Sequence, residues 1–276
     1  VGERFRDDTG QATRIVDCVR YGRGDVDWEE SVVVEEPLEL RVDGAALAVL
    51  MRTPGADVDL IYGFLCTEGI IKNPDDVARL SEPDEYGENR LVAFLREGVD
   101  FDFTQLTRHL FSGSSCGLCG KATIESIMQG CPPLAGESLS LDESVLLESL
   151  SQMERVQQAF KKTGGLHAAA LFSLEGELLV IREDVGRHNA VDKVIGHALR
   201  KGQALERSFL VVSGRLSFEI LQKALAARIP CLAAVSAPSS LAIDFAKESG
   251  QTLIGFLRPP SWNLYYEGLL KITPRG

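Results

Sequence analysis

The sequence predicts an α/β protein in two parts: a smaller β-rich amino-terminal domain over residues 1–135, and an α/β domain over residues 136–276 whose largely parallel sheet is covered by helices on both faces. Three features predict it. Up to Leu95, short runs alternate apolar and polar residues, the period of strands with one face in a core. Beyond Leu166 the runs become continuously apolar and are separated by amphipathic stretches, as buried strands and their connecting helices require. Between these regions Cys131-Pro132-Pro133 cannot continue a helix, and the small polar residues up to Gly136 read as a junction. A chain of 276 residues that is 45% hydrophobic has the material for two cores.

The first dozen residues are polar and read as frayed, after which Thr13 to Arg20 and Ser31 to Glu35 carry the β-branched character of strands. Pro37 marks a strand start. Leu38, Leu40 and Val42 alternate up to Asp43-Gly44, and Leu47, Val49 and Met51 continue beyond it, which predicts a hairpin. Over Asp57 to Cys66, Val58, Ile61, Tyr62 and Leu65 fall at helical spacing, with Gly69 as the stop. Leu91 to Leu95 reads as a strand and Thr104 to Leu110 as a short helix. In the second part Ser140-x-x-Glu143 has the capping-box pattern, and Leu146, Leu150, Met153, Val156 and Phe160 share one face of a long helix that Gly164-Gly165 ends. His167 to Ser173 and Leu178 to Arg182, joined at Glu175-Gly176, predict a second hairpin. Helices at Asn189–Arg200, Ser217–Arg228 and Ser239–Ser249 then alternate with strands at Phe209–Val212, Cys231–Val235 and Thr252–Leu257.

The formal net charge of -11 argues against general nucleic-acid binding, which a basic excess would mark. No apolar run is long enough to span a bilayer, and Val1-Gly2-Glu3-Arg4 opens no signal-peptide pattern, so the expected location is the cytoplasm. In that reducing compartment six cysteines do not suggest a disulfide framework. Cys18, Cys66 and Cys231 sit in apolar segments and read as inert core residues. Cys116 and Cys119 differ: Ser112-Gly113-Ser114-Ser115-Cys116-Gly117-Leu118-Cys119-Gly120-Lys121 sets a C-x-x-C pair among small residues, with Lys121 positioned to favour the nucleophilic thiolate. The same spacing also suits half a zinc site, an incidental surface pair or a dithiol oxidoreductase. Zinc needs two further ligands, and four scattered histidines show no partner spacing, so no metal site is expected. A thioredoxin-type enzyme would place the first cysteine at a helix start within a β-α-β unit, and none is visible there.

In a sheet of this kind ligands bind beyond the carboxyl ends of the strands. Those ends carry Glu183-Asp184-Val185-Gly186-Arg187-His188-Asn189, Ser213-Gly214-Arg215, Ser236-Ala237-Pro238-Ser239 and Arg258-Pro259-Pro260-Ser261. The first three open helices, whose free N–H groups suit phosphate, and Arg187, Arg215 and Arg258 add forked donors. Asp184 suits a guanine edge or one of these arginines. Ser, Asp, Asn and Gly also cap helices without any ligand. The repetition at successive strand ends favours a nucleotide-like anion, with His188 the leading histidine; His197 in mid-helix reads as surface or packing. His167 invites comparison with the H-x-E signature of zinc deaminases, but Ala169 stands in the glutamate position and the C-x-x-C precedes the histidine; His167 reads as packing at a strand start.

Taken together, Ser115-Cys116-Gly117-Leu118-Cys119-Gly120, Thr163-Gly164-Gly165-Leu166-His167-Ala168-Ala169, Arg182-Glu183-Asp184-Val185-Gly186-Arg187-His188-Asn189-Ala190-Val191-Asp192-Lys193 and Ser213-Gly214-Arg215 closely resemble the FdhD family of formate dehydrogenase accessory sulfurtransferases. The resemblance implies a cytidine-deaminase-like three-layer α/β/α domain without the deaminase zinc site, a smaller amino-terminal domain and a homodimer. It implies sulfur transfer from a cysteine desulfurase, through a persulfide on Cys116 with Cys119 assisting, to molybdenum in the bis(molybdopterin guanine dinucleotide) cofactor destined for formate dehydrogenase. It also implies that Phe256, Leu257, Arg258, Pro259, Pro260 and Ser261 join Asp184, Gly186, Arg187, His188, Asn189, Ser213, Gly214, Arg215 and Ser236 in the cofactor site, where GDP is expected to mimic the cofactor. A non-enzymatic cofactor chaperone, with the cysteine loop as a lid, is the other reading of these residues. Pro259-Pro260-Ser261-Trp262 departs from the more glycine-rich residues of the family pattern, so that segment is expected to contribute position more than side-chain contact.

Overall fold

The computed structural model describes residues 12–21, 26–83, 85–99 and 131–274. The helix predicted at Thr104–Leu110 and the loop of Cys116 and Cys119 lie outside them. The amino-terminal elements are β1 (Thr13–Arg20), β2 (Val26–Val33), β3 (Glu36–Val42), β4 (Ala45–Arg52), α1 (Asp57–Thr67), β5 (Val77–Leu80) and β6 (Arg90–Leu95). β1 and β2 pair as an antiparallel ribbon, and the other four form a sheet in the order β4-β3-β6-β5. The ribbon leaves Ile15, Val19, Tyr21 and Trp28 exposed, and with them Cys18. The apolar run around Cys18 therefore marks a strand without a covered face, not a core position. The second strand also begins and ends earlier than the predicted Ser31–Glu35.

The remaining elements are β7 (Leu139–Asp142), α2 (Glu143–Val156), α3 (Gln158–Thr163), β8 (His167–Ser173), β9 (Leu178–Asp184), α4 (Arg187–Arg200), β10 (Ser208–Val212), α5 (Phe218–Ala226), β11 (Cys231–Ala234), α6 (Ser240–Ser249), β12 (Thr252–Arg258), β13 (Ser261–Tyr266) and β14 (Leu270–Thr273). The central sheet runs β13-β12-β11-β10-β8-β9. It is mixed: parallel pairing is confined to β10-β11-β12, and antiparallel strands flank it on both sides. The expected largely parallel sheet is corrected in this respect, because short turns at Glu175-Gly176 and Pro259-Pro260 close hairpins that cannot be parallel. Even so, β9, β10, β11 and β12 point the same way, since β8 reverses twice. β14 pairs with β7 in a separate two-stranded sheet, and that pairing corrects the predicted helix start. Ser140 lies in β7, and the cap is Asp142, whose carboxylate accepts from the Ser144 N–H at 2.7 Å. The predicted long helix breaks at Gln157 into α2 and α3, leaving Phe160 exposed.

Both sheet faces are covered, which is why its strands read as continuously apolar. Ala169, Leu171, Leu210, Val212, Leu232 and Leu253 pack toward α4, α5 and α6. Ala168, Ala170, Phe172, Phe209, Val211 and Ile254 pack on the other side with Leu146, Leu150 and Met153 of α2. The amino-terminal sheet joins the first of these cores through α1, whose Leu60, Ile61, Phe64 and Leu65 are buried. α1 and α4 cross at two glycines. A Cβ on Gly63 would lie 1.8 Å from the Asp192 carbonyl oxygen, and one on Gly196 would lie 1.9 Å from that of Asp59, so the two backbones are in contact.

Candidate functional site

The carboxyl ends of β9, β10, β11 and β12 and the start of β8 meet at one edge of the central sheet, where main-chain bonds stitch them into a ledge. Ser213 N–H donates to the Ala168 carbonyl and its Oγ accepts from Ala168 N–H. Val235 N–H donates to Val212, Leu216 N–H to Ala237, Ser239 N–H to Leu216, and Phe256 N–H to Ser236. Phe256 itself has φ of 50° within the irregularity between Gly255 and Arg258, a left-handed backbone that bulky residues rarely adopt and that re-aims the chain at the strand end. Leu257 is consequently turned into the core and offers only its backbone to the ledge, whereas Arg258 is exposed, lies over the Phe256 ring and donates from Nε to the Val235 carbonyl. Pro259 and Pro260 form a cis turn, after which Ser261 Oγ donates to the Arg258 carbonyl.

The long motif after β9 divides into two groups. Asp184 is fully buried and faces inward. Its Oδ2 accepts from Thr53 N–H at 3.1 Å and lies 2.8 Å from Lys193 Nζ, and its Oδ1 accepts from Gly186 N–H and Asn189 Nδ2. The ion partner is thus Lys193, not an arginine, and the carboxylate is occupied by four donors. Lys193 also donates to the Thr53 carbonyl, Val185 N–H to Thr53 Oγ1, and Asn189 Nδ2 to the Met51 carbonyl. Asp184, Asn189 and Lys193 therefore clamp the end of β4. A cavity of about 20 Å³ beside the clamp, lined by Thr53, Arg182 and Lys193 among others, has room for about one water and no larger ligand.

Arg187 and His188 turn the other way. Arg187 Nε, His188 Nε2 and Ser217 Oγ are buried atoms without a hydrogen-bond partner, three of four such atoms among the described residues, the fourth being Gln203 Oε1. Buried polar groups are normally paired, so three orphans on one ledge mark a place where a polar ligand completes the bonding. The Glu219 carboxylate lies 3.9 Å from His188 Nε2, beyond hydrogen-bond length, and the neighbouring imidazole, with Ser217 adding to it against burial, holds its pKa down at about 2. Arg215 is exposed. Of the three helix starts here only that of α6 is capped by its N-cap side chain, Ser239 accepting from Ala242 N–H; Gly186 before α4 and Ser217 before α5 make no such bond, and at α5 the Glu219 carboxylate accepts from its own N–H. Helix capping alone therefore does not account for these loops. An anion fits the arginines, the uncapped start of α4 and the orphaned polar atoms together.

Two residues of this ledge are not among the site residues expected from sequence. His167 opens β8 directly opposite Asp184 in the ladder, which the hairpin register could have disclosed. Its ring lies against Gly214, where a Cβ would stand 3.3 Å from Nδ1 and 3.7 Å from Arg187 Cδ. Burial pushes its pKa below the ordinary 6.5, and Arg187, His188 and Arg215 add to the effect against the pull of Asp184. Glu219 carries no motif signal at all. Among the described residues no cluster of His, Cys, Asp and Glu is arranged to hold a metal, and no helix is long and apolar enough to cross a membrane.

Comparison with known proteins identifies the family. The family model described as FdhD/NarQ matches residues 33–268. The chain belongs to the FdhD/NarQ family. Its FdhD/NarQ relatives include the protein named Sulfur carrier protein FdhD of Mycolicibacterium paratuberculosis, 50% identical over 246 residues that cover 86% of this chain and 90% of that one. The protein of the same name from Streptomyces avermitilis is 45% identical and covers 93% and 94%. Among solved structures, a crystal structure from Desulfotalea psychrophila, assigned as a formate dehydrogenase accessory protein, superposes with a TM-score of 0.73 at 25% identity, covering 92% of this chain and 96% of that one. The mixed α/β architecture is thus that of an FdhD/NarQ protein.

Proposed function

We propose that this FdhD/NarQ chain is a sulfurtransferase that takes sulfur from a cysteine desulfurase and delivers it to molybdenum in bis(molybdopterin guanine dinucleotide), a substrate it holds on the ledge, for use by formate dehydrogenase. The observation that carries the reading is a ledge with unmatched donors for an anion in a chain that has the C-x-x-C pair and sulfur-carrier relatives. In this reading the Cys116 thiolate attacks the outer sulfur of the desulfurase persulfide, that S–S bond breaks, and the desulfurase leaves as thiolate. The sulfur then rests as a Cys116 persulfide. Transfer either breaks the Cys116 S–S bond at the substrate metal, which would supply the two electrons while Cys116 leaves as thiolate, or follows attack by Cys119 on the Cys116 sulfur, which displaces the outer sulfur as sulfide and leaves a Cys116–Cys119 disulfide that an external dithiol would reduce. Phosphates of the guanine dinucleotide arms lie at the uncapped start of α4 beside Arg187 and Arg215. A cytoplasmic homodimer belongs to the same proposal.

Incubation with a cysteine desulfurase and free cysteine, followed by mass spectrometry, tests it. The expected result is a one-sulfur adduct on Cys116 that Cys116→Ala abolishes. Absence of any adduct on Cys116 or Cys119, with both alanine variants still supporting formate dehydrogenase activity, overturns the transfer reading.

A further inference from the structure

His167 opens β8 on the ledge, opposite Asp184 and against Gly214, and has no task in the fold that its position explains. It is half-buried, its ring and the stem of Arg187 both lie against Gly214, and no hydrogen bond to either ring nitrogen is found among the described residues. A half-buried imidazole that leaves both nitrogens open is a polar group awaiting a partner. We propose that His167 is a ligand contact, the side chain that hydrogen-bonds an uncharged polar group of the nucleoside portion of the bound nucleotide while Arg187 and Arg215 hold its phosphates. This rests on the ledge being the nucleotide site.

The surroundings decide between the two ways an imidazole can meet a nucleotide. A protonated ring would take phosphate, but burial and the neighbouring Arg187 and His188 of α4 and Arg215 of the loop after β10 disfavour the charge, against the pull of Asp184 of β9. The neutral ring keeps one N–H and one lone pair. That pair of functions matches a hydroxyl or an amide-like base edge, groups that both donate and accept, better than a phosphate, which only accepts. Gly214 supports the placement, because any side chain there would press on the ring at 3.3 Å. The arginines meanwhile have forked, permanently charged donors suited to phosphate.

Calorimetric titration of the full chain with GDP and, in parallel, with inorganic pyrophosphate separates these roles. His167→Ala is expected to weaken GDP about tenfold while leaving pyrophosphate within about twofold, and His167→Gln, whose amide both donates and accepts, to recover GDP to within about threefold. Arg187→Ala and Arg215→Ala are expected to weaken both probes. Unchanged GDP affinity in His167→Ala, or an equal loss for pyrophosphate, overturns the assignment of His167 while leaving the ledge standing. If the arginine variants change neither probe, or the native chain binds neither, the ledge reading falls and the His167 proposal with it. Should His167→Ala fail to fold, the imidazole resonances of the native chain decide: they shift with GDP and not with pyrophosphate, and the reverse pattern overturns the proposal.

Discussion

Asp184 shows how a single residue inside a functional motif can serve the scaffold. Its carboxylate is fully buried, paired with Lys193 and hydrogen-bonded to the Thr53 and Gly186 amides, so removing its charge strands a buried ammonium. Loss of one partner of a buried pair typically costs about 3–5 kcal/mol, far more than a surface ion pair is worth. Asp184→Asn is therefore expected to lower the free energy of urea unfolding by about 3 kcal/mol; a loss below about 1 kcal/mol would show that the clamp on Thr53 matters little. The sequence marked the whole motif as site because Asp, Gly, Arg, His and Asn after a strand look alike whether they face a ligand or the core. Only packing separates Arg187 and His188, which face the ledge, from Asp184 and Asn189, which hold β4. His167 was legible as a strand start but not as a site residue, since its neighbours Gly214 and Arg187 are distant in sequence.

At the scale of elements, the crossing of α1 and α4 depends on two glycines that helix propensity would count as defects. Replacing an exposed mid-helix glycine by alanine stabilises by about 1 kcal/mol. Here the added carbon at Gly63 would meet the Asp192 carbonyl at 1.8 Å, an overlap with main chain that no rotamer relieves. The sign reverses: Gly63→Ala and Gly196→Ala are each expected to cost more than about 4 kcal/mol or abolish cooperative thermal unfolding. A rise in melting temperature for either variant would sink the close crossing. α1, α4, α5, α6 and most central strands were legible from period and length, within a residue or two of their ends. The order of strands was not, because antiparallel partners β8 and β13 are as apolar or as short as parallel ones, and the β7-β14 pair joins segments with no local signal of each other. The α2 break at Gln157 was hidden by an apolar spacing that runs on through Phe160.

For the molecule as a whole, buried charge makes folding sensitive to acid. Asp59, on α1, meets Arg182, His197 and Arg200; burial pushes its pKa up, but the bonds from His197 and Arg182 outweigh this and hold it at about 2 against an ordinary 3.8. A depressed carboxylate stabilises the fold fully above the unfolded value and loses that contribution as pH falls through the folded one. The difference corresponds to about 2 kcal/mol. The lowered pKa of His167 acts in the same direction over a higher window, since protonation below 6.5 favours the unfolded chain. Stability measured by chemical denaturation is thus expected to fall between pH 4 and 2, and Asp59→Asn to flatten that slope; an unchanged slope would mean the cluster is not the cause. The ledge responds to change quite differently. Most of its bonds run between peptide groups, and none of those main-chain bonds passes through the side chains of Arg187, His188 or Arg215. Arg187, His188 and Arg215 can accordingly be exchanged like fittings on a fixed shelf, and the fold offers a mounting on which ligand preference can be rewritten without rebuilding what lies beneath.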